Sequence, residues 1–260
     1  MTKTSGGYVD STVGVVGHVA QWLTTPFGQR VYKNPNFHGE NGITLVFVHG
    51  TADRPCGGKR LAKGILKYAP NCVETVVLIS FNHRLEGIGV ETFGHQLVEK
   101  TKALGKTRVA FAGHSRGGLI AIWAAQFMGR DPENNIEIVA TFPICAPLKG
   151  SYLAKRPLTW FSQSVRDIKA DSPMLVYLNG EVSQRPVCPY HFVVGSLDWI
   201  VPKDGKVDAY VTSHSNSCLR IQGHGHLSIM GTEECQRYIA GVLTDLYSYQ
   251  NTMEAALPAP

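Results

Sequence analysis

The chain has no run of like charge, no CxxC pair and no apolar stretch of about 18 residues, and each absence removes a class of function. Its 25 lysines and arginines are scattered among 20 aspartates and glutamates, with no basic cluster interleaved with aromatics. A net charge of +5 spread this way does not build a nucleic-acid-binding face, so no nucleic acid is expected as a partner. It leaves modest attraction to anionic membrane surfaces. The six cysteines, Cys56, Cys72, Cys145, Cys188, Cys218 and Cys235, stand far apart, which argues against a zinc ribbon. Residues 1–17 lack the basic and apolar regions of a signal peptide. The expectation is a chain with reduced thiols that does not span a membrane, cytoplasmic or exported without a recognisable signal.

What the sequence does hold is a regular alternation. Short apolar runs rich in β-branched residues occupy 43–48, 73–80, 107–113, 136–145, 189–196 and 216–223. They do not alternate cleanly with polar residues, which suits strands buried on both faces of a parallel sheet. Helical patterns lie between them at 58–68, 90–104, 116–128 and 202–211, with a last one at 231–249. Strand–helix repetition of this kind predicts the α/β class: a mostly parallel central sheet with right-handed crossovers and helices on both faces. The domain is expected over 43–250, with 251–260 a frayed tail. Residues 1–42 read as an N-terminal extension. In it Val9, Val13, Val16, Ala20 and Leu23 recur at helical spacing, with Trp22 and Phe27 nearby. Such an amphipathic helix packs on the domain or makes a peripheral membrane or partner contact.

One stretch, TRVAFAGHSRGGLIAIWAA at 107–125, carries a serine on a strand-to-helix turn. A serine hydroxyl is a poor nucleophile unless a base takes its proton and donors hold the oxyanion it creates. Gly113 and Gly117 flank Ser115 at the two positions where so sharp a turn admits only small residues. The turn sets the N–H of Arg116 at a helix start, facing the developing charge. Upstream, the run ITLVFVHGT ends in His49 and Gly50, and the N–H of Thr51 is the candidate second oxyanion donor. His114, beside the serine, is directed away from it by the turn.

Among ten histidines, His226 in GHGHLSIM is the candidate base, since its loop leads into an apolar stretch that holds the ring; His224 is the alternative. Asp198 follows the run HFVVGS and is the candidate acid, ahead of Asp204 and Asp208, expected on a solvent-facing helix, and of Asp53. The order Ser115, Asp198, His226 is the one expected of this architecture. No ligand cluster accompanies His224 and His226, so no metal is expected.

With these motifs in hand, the sequence resembles the α/β-hydrolase superfamily over about 43–247, most closely its bacterial lipase and PGAP1-like (lipase-type) branch. VFVHGT is similar to the family's oxyanion-loop strand, GHSRGG to its nucleophile elbow, GSLDWIVP to its acid turn and GHGHLSIM to its histidine loop. ICAPLKGS at 144–151 is similar to a proline turn that lipases carry after the elbow, and 168–179 to the helix they place before the acid strand. The resemblance implies hydrolysis of carboxylic esters, often lipids, without a cofactor; the expected partner is a small-molecule or lipid ester, and the expected state a monomer. The same residues cleave thioesters, so a thioesterase or protein deacylase stays open, as does a catalytically silent binding protein. Two departures stand out. Arg116 replaces the uncharged residue common at that place, favouring anionic substrates or pointing to solvent. No insertion is long enough for a large lid, and 151–165 offers Leu153, Leu158, Trp160 and Phe161 as a small cap or as an inward-turned surface helix.

Overall fold

The computed structural model describes residues 28–39, 41–51, 53–81, 88–154, 162–201 and 204–256. Among these, seven strands form one sheet: β1 (Arg30–Lys33), β2 (Ile43–Val48), β3 (Val73–Ile79), β4 (Arg108–His114), β5 (Glu137–Ile144), β6 (Phe192–Gly195) and β7 (Cys218–Ile221). Their order is β1-β3-β2-β4-β5-β6-β7, with β1 antiparallel to β3 and every other pair parallel. The helices are α1 (Lys59–Tyr68), α2 (Val90–Lys102), α3 (Arg116–Arg130), α4 (Gln163–Asp167), α5 (Pro173–Gln184), α6 (Asp208–Ser213) and α7 (Glu233–Ala256).

The unbroken apolar character of the strands has its cause in two cores. β2 is buried at all six positions. Leu45 and Phe47 turn to one face, against Leu61 and Ile65 of α1 and Ile239 and Leu243 of α7. Val46 and Val48 turn to the other, against Phe93 of α2, Leu119 and Ile122 of α3 and Leu178 of α5. Each such side chain contributes about 1.5–3 kcal/mol on burial, so a strand apolar on both faces is anchored from both sides. Parallel β2, β3, β4 and β5 thereby present their C-terminal ends along one edge of the sheet.

Several boundaries differ from the sequence reading, each for a local reason. The run expected as a strand over 189–196 pairs only over Phe192–Gly195. Pro189 has no N–H to give, and the Tyr190 N–H donates to the Tyr210 hydroxyl instead of the ladder, leaving one isolated bridge to Thr141. The expected 216–223 strand is cut to Cys218–Ile221 by left-handed residues at either side, Asn216 (φ 65°) and Gly223 (φ 75°). The helix expected over 202–211 is α6, displaced past Asp204 at φ 51°. The helix expected over 168–179 is α5, which starts at Pro173 with the Ser172 hydroxyl accepting from the Leu175 N–H. The last helix runs to Ala256, into the tail expected to fray from 251.

The short β1 escapes the sequence reading altogether. Four residues of alternating burial are too few to register as a period, and β1 acquires its conformation from pairing with β3. It joins the sheet from inside the segment expected to stand apart as an extension. The apolar stripe from Val9 to Leu23, with Trp22 and Phe27, lies outside the described residues.

Candidate active site

At the C-terminal end of β4 the chain reverses into α3 through Ser115, whose backbone sits at φ 56° and ψ −129°. A non-glycine residue there stores on the order of 1–3 kcal/mol of strain, held by its surroundings. The Ser115 N–H donates to the Ile144 carbonyl (2.8 Å), and the Ser115 carbonyl accepts from the Gly118 N–H (2.9 Å). The flanking glycines are required by close approach rather than by their own φ. A Cβ on Gly113 would lie 2.6 Å from the Gly118 nitrogen and inside the Gly117 carbonyl. One on Gly117 would run into the Val48 carbonyl oxygen and reach 2.7 Å from that of His49. The turn is thus clamped between its own helix and the end of β2. Gly50, after that end, faces the Ser115 Cβ, with its own absent Cβ 3.1 Å from it.

Asp198 and His226 come together from loops after β6 and β7. His226 Nδ1 donates to Asp198 Oδ2 at 2.8 Å, and both side chains are buried. The other carboxylate oxygen accepts the N–H groups of Ile200 (3.0 Å) and Val201 (2.9 Å). Burial alone would raise the Asp198 pKa; the bond and charge of His226, the Val201 N–H and the Cys145 thiol outweigh it, so the carboxyl lies below its ordinary value. His224 turns elsewhere, its ring meeting the Ser228 hydroxyl at 3.2 Å, while its carbonyl accepts from the Leu197 N–H. Asp204 pairs with Arg220, and Asp208 with Lys149, in exposed ion pairs. Asp53 Oδ1 accepts the Arg54 N–H.

The remaining candidates surround this pair. His114 donates from Nε2 to the His226 carbonyl (2.8 Å), tying the histidine loop to the end of β4. His49 is buried, its Nδ1 donating to the Gly50 carbonyl (3.0 Å) and its ring packed on Phe81. Ser115, His226, Thr51, Gly50, Asp53 and His114 line one cavity of about 200 Å³, whose other walls are Pro147, Ser151, Leu153, Val165, Ile168, Ile200 and Leu227. A larger groove of about 760 Å³ lies at the opposite end of the sheet, beside β1, with Lys33, Glu74 and Lys106 on its walls and no nucleophile–base pair. In open parallel sheets, ligands bind at the carboxyl ends of the strands, where the smaller cavity is.

Arg116 differs from the sequence reading. Its side chain neither enters the cavity nor reaches solvent: it is 3 % exposed, with the guanidinium 4.7 Å over the Phe93 ring and Nη1 donating to the Ser164 hydroxyl (2.7 Å). Burial pushes its pKa down to about 10, against the pull of Asp167. Its backbone N–H follows directly on Ser115 in the chain, at the start of α3. Of the expected cap, Leu153 lines the cavity mouth and is 46 % exposed, whereas Leu158, Trp160 and Phe161 lie outside the described residues.

In the sequence Cys145 stands only as one of six scattered cysteines and as part of the ICAPLKGS turn, with nothing near it in the chain to mark a role. It follows β5 in a left-handed conformation (φ 48°), with its N–H on the Val193 carbonyl (2.8 Å), and its thiol donates to the Asp198 carboxylate. Burial, then the charge of Asp198, hold that thiol well above the ordinary range, so it remains a donor. Ligating atoms of Cys145, Asp198 and His226 lie within 4.8 Å of one another, and this is the single such cluster among the described residues. The lone pairs of Asp198 are already directed at four N–H and S–H donors, which leaves a cation little to bind. Among the described residues no helix is long and apolar enough to cross a membrane.

No protein-family model matches the chain, and no curated protein matches it in sequence. Solved structures do. A monoacylglycerol lipase from Paleococcus ferrophilus superposes with a TM-score of 0.61 at 17 % identity, over 85 % of this chain and 100 % of that one. An esterase from Pyrobaculum calidifontis matches with a TM-score of 0.52 at 15 % identity, over 95 % and 94 % of the two chains. The peroxisomal α/β-hydrolase Lpx1 of Saccharomyces cerevisiae matches with a TM-score of 0.54 at 12 % identity, over 89 % and 83 %. Identities this low speak for architecture. Strand order, the helices on both faces and these neighbours agree on it: the chain has the α/β-hydrolase fold.

Proposed function

We propose that the protein is a serine hydrolase of carboxylic esters with an apolar acyl group. The observation that carries this reading is the Asp198–His226 hydrogen bond beside a strained Ser115 turn on the wall of one cavity. The lipase and esterase among its structural neighbours lend support. Ser115 Oγ attacks the ester carbonyl, forming the C–O bond while His226 Nε2 takes its proton. Asp198, kept ionised by its donors, holds the Nδ1–H tautomer and stabilises the imidazolium. The N–H groups of Thr51 and Arg116 hold the oxyanion of the tetrahedral intermediate. Collapse breaks the bond to the leaving alcohol, which departs with the proton from His226. Water, activated by the same histidine, then attacks the acyl-enzyme, releasing the carboxylic acid and restoring Ser115.

The cavity walls favour a hydrocarbon chain, since Pro147, Leu153, Val165, Ile168, Ile200 and Leu227 offer no charge. A cavity of about 150 Å³ holds a benzene molecule, so about 200 Å³ suits an acyl group of roughly six to eight carbons. The test is labelling by a fluorophosphonate, wild type beside Ser115→Ala, followed by p-nitrophenyl esters from C2 to C16. Labelling and turnover lost together in the variant, with an optimum near C6–C8, are expected. A Ser115→Ala protein that keeps wild-type activity refutes the mechanism. Faster turnover of the matching thioesters would reassign the leaving group while leaving the mechanism intact.

A further inference from the structure

We infer that the Arg116 side chain, tied to Ser164, sets the acyl-chain preference of the site by fixing the cavity wall from behind the nucleophile turn; this rests on the hydrolase reading. The residue after Ser115 has two ends with different directions. Its N–H stays at the turn, while its guanidinium passes between α2 and α4, over the Phe93 ring, and donates to the Ser164 hydroxyl at 2.7 Å. A guanidinium in so buried a place, with one hydrogen bond and a more distant carboxylate, is a costly group to keep for packing alone. Its bond to Ser164 reaches a short element whose C-terminal neighbour, Ile168, accepts the Ser151 N–H of the described part of the cap (3.0 Å).

That element is α4, and it carries the cavity wall. Val165 and Ile168, next to Ser164 and just past Asp167, line the cavity together with Leu153. α4 is only five residues long and does not hold itself. Polar side chains pin it. Asp167 Oδ2 accepts the Val90 N–H at the start of α2 (2.7 Å), its Oδ1 accepts from Gln163 Nε2 (2.7 Å), and the Ser162 and Ser164 hydroxyls meet at 3.0 Å. Among these contacts, Arg116 to Ser164 alone joins α4 to the residue adjoining the nucleophile. Where Ser164 sits therefore decides how far Val165 and Ile168 stand from Ser115, and so how many methylenes of an acyl chain they cover. Short esters do not reach that wall. Ser164 is a positioning residue for long ones.

The experiment compares wild type, Ser164→Ala, Arg116→Met and the double variant on p-nitrophenyl acetate, butyrate and octanoate, with hydrogen exchange measured over 162–168. A hydrophobic pocket separates chains differing by a methylene by about 10-fold or more. Ser164→Ala is expected to leave kcat/KM for acetate within about twofold and to lower that for octanoate about 10-fold, through KM. Amide exchange in 162–168 should quicken. The double variant is expected to show the Arg116→Met profile and no further loss, since the two residues share one contact. A uniform loss across chain lengths would mean that the tie only stabilises the fold, and would overturn the inference. So would an unchanged octanoate-to-acetate ratio in protein that a fluorophosphonate still labels, with the hydrolase reading left standing. Wild-type protein that neither labels nor turns over any ester would overturn that reading, and the selectivity role with it.

Discussion

Adding one methyl group at Gly117 tests the candidate site at its tightest point. Gly117 lies in the first turn of α3, where alanine is favoured over glycine by up to about 1 kcal/mol on propensity alone. Against that stands the clash. The new Cβ would run into the Val48 carbonyl oxygen and lie 2.7 Å from that of His49. Both are backbone atoms at the end of a fully buried strand, so no side chain rotates out of the way. Restoring an ordinary contact near ~3.5 Å shifts the Ser115 turn by close to ~1 Å from β2. Overpacking of this kind costs about 1–3 kcal/mol, which exceeds the propensity gain, and a displacement of ~1 Å at a reacting group costs about 10²-fold in rate. Gly117→Ala is therefore expected to lower kcat/KM on p-nitrophenyl butyrate about 100-fold and, at a net cost of about 1 kcal/mol in a domain of this size, Tm by roughly 2–4 °C in a calorimetric scan. Gly180→Ala is the control. It sits inside α5 with nothing within 4 Å of its would-be Cβ and should raise Tm by a degree or more. A Gly117→Ala protein with wild-type Tm and activity within threefold would refute the close-packed turn.

Other consequences follow from the pair behind the turn. Asp198→Asn should reduce turnover about 10⁴-fold with the fold retained, the scale of losing the group that holds a catalytic histidine in the right tautomer; a loss under tenfold would move the acid's role elsewhere. Because the Asp198 pKa is lower folded than unfolded, its contribution is present above the unfolded carboxylate range near ~3.9 and is lost as pH falls through the lower folded value. Wild-type Tm should consequently drop more steeply than that of Asp198→Asn below about pH 4, and parallel curves would contradict the shift. Cys145→Ala removes a donor to that carboxylate, so its acid limb should move to higher pH, with kcat/KM at neutral pH down about 3- to 10-fold, and an unmoved limb would mean that the thiol does not hold Asp198.

How far the sequence could be read depended on whether a feature is local. The Ser115 turn announces itself because β4, the turn and α3 are contiguous, and the glycines at 113 and 117 answer a clash within a few residues and with the strand beside them. Asp198 and His226 were legible for a similar reason. Each follows a strand of the sheet, and parallel strands all end on the same edge, so motif order predicts proximity. His226 over His224 was a choice by loop context; in the packing the His224 ring goes to Ser228, while the His226 ring meets Asp198 and its carbonyl is held by His114.

By itself, then, the sequence determined the fold class, the run of buried strands and the residue types at the strand ends, because burial periodicity and turn chemistry act over a few residues. The tertiary structure alone decided three things that depend on long separations. It added β1, which has no strand pattern of its own and exists by pairing with β3 across some forty residues of chain. It set Cys145 behind Asp198, more than fifty residues away in sequence, where the end of β5 meets the acid turn. And it turned Arg116 inward to Ser164, forty-eight positions on, rather than toward solvent or substrate. A side chain's direction follows from what else fills the space around it, and that space is enclosed only when the distant segments have packed.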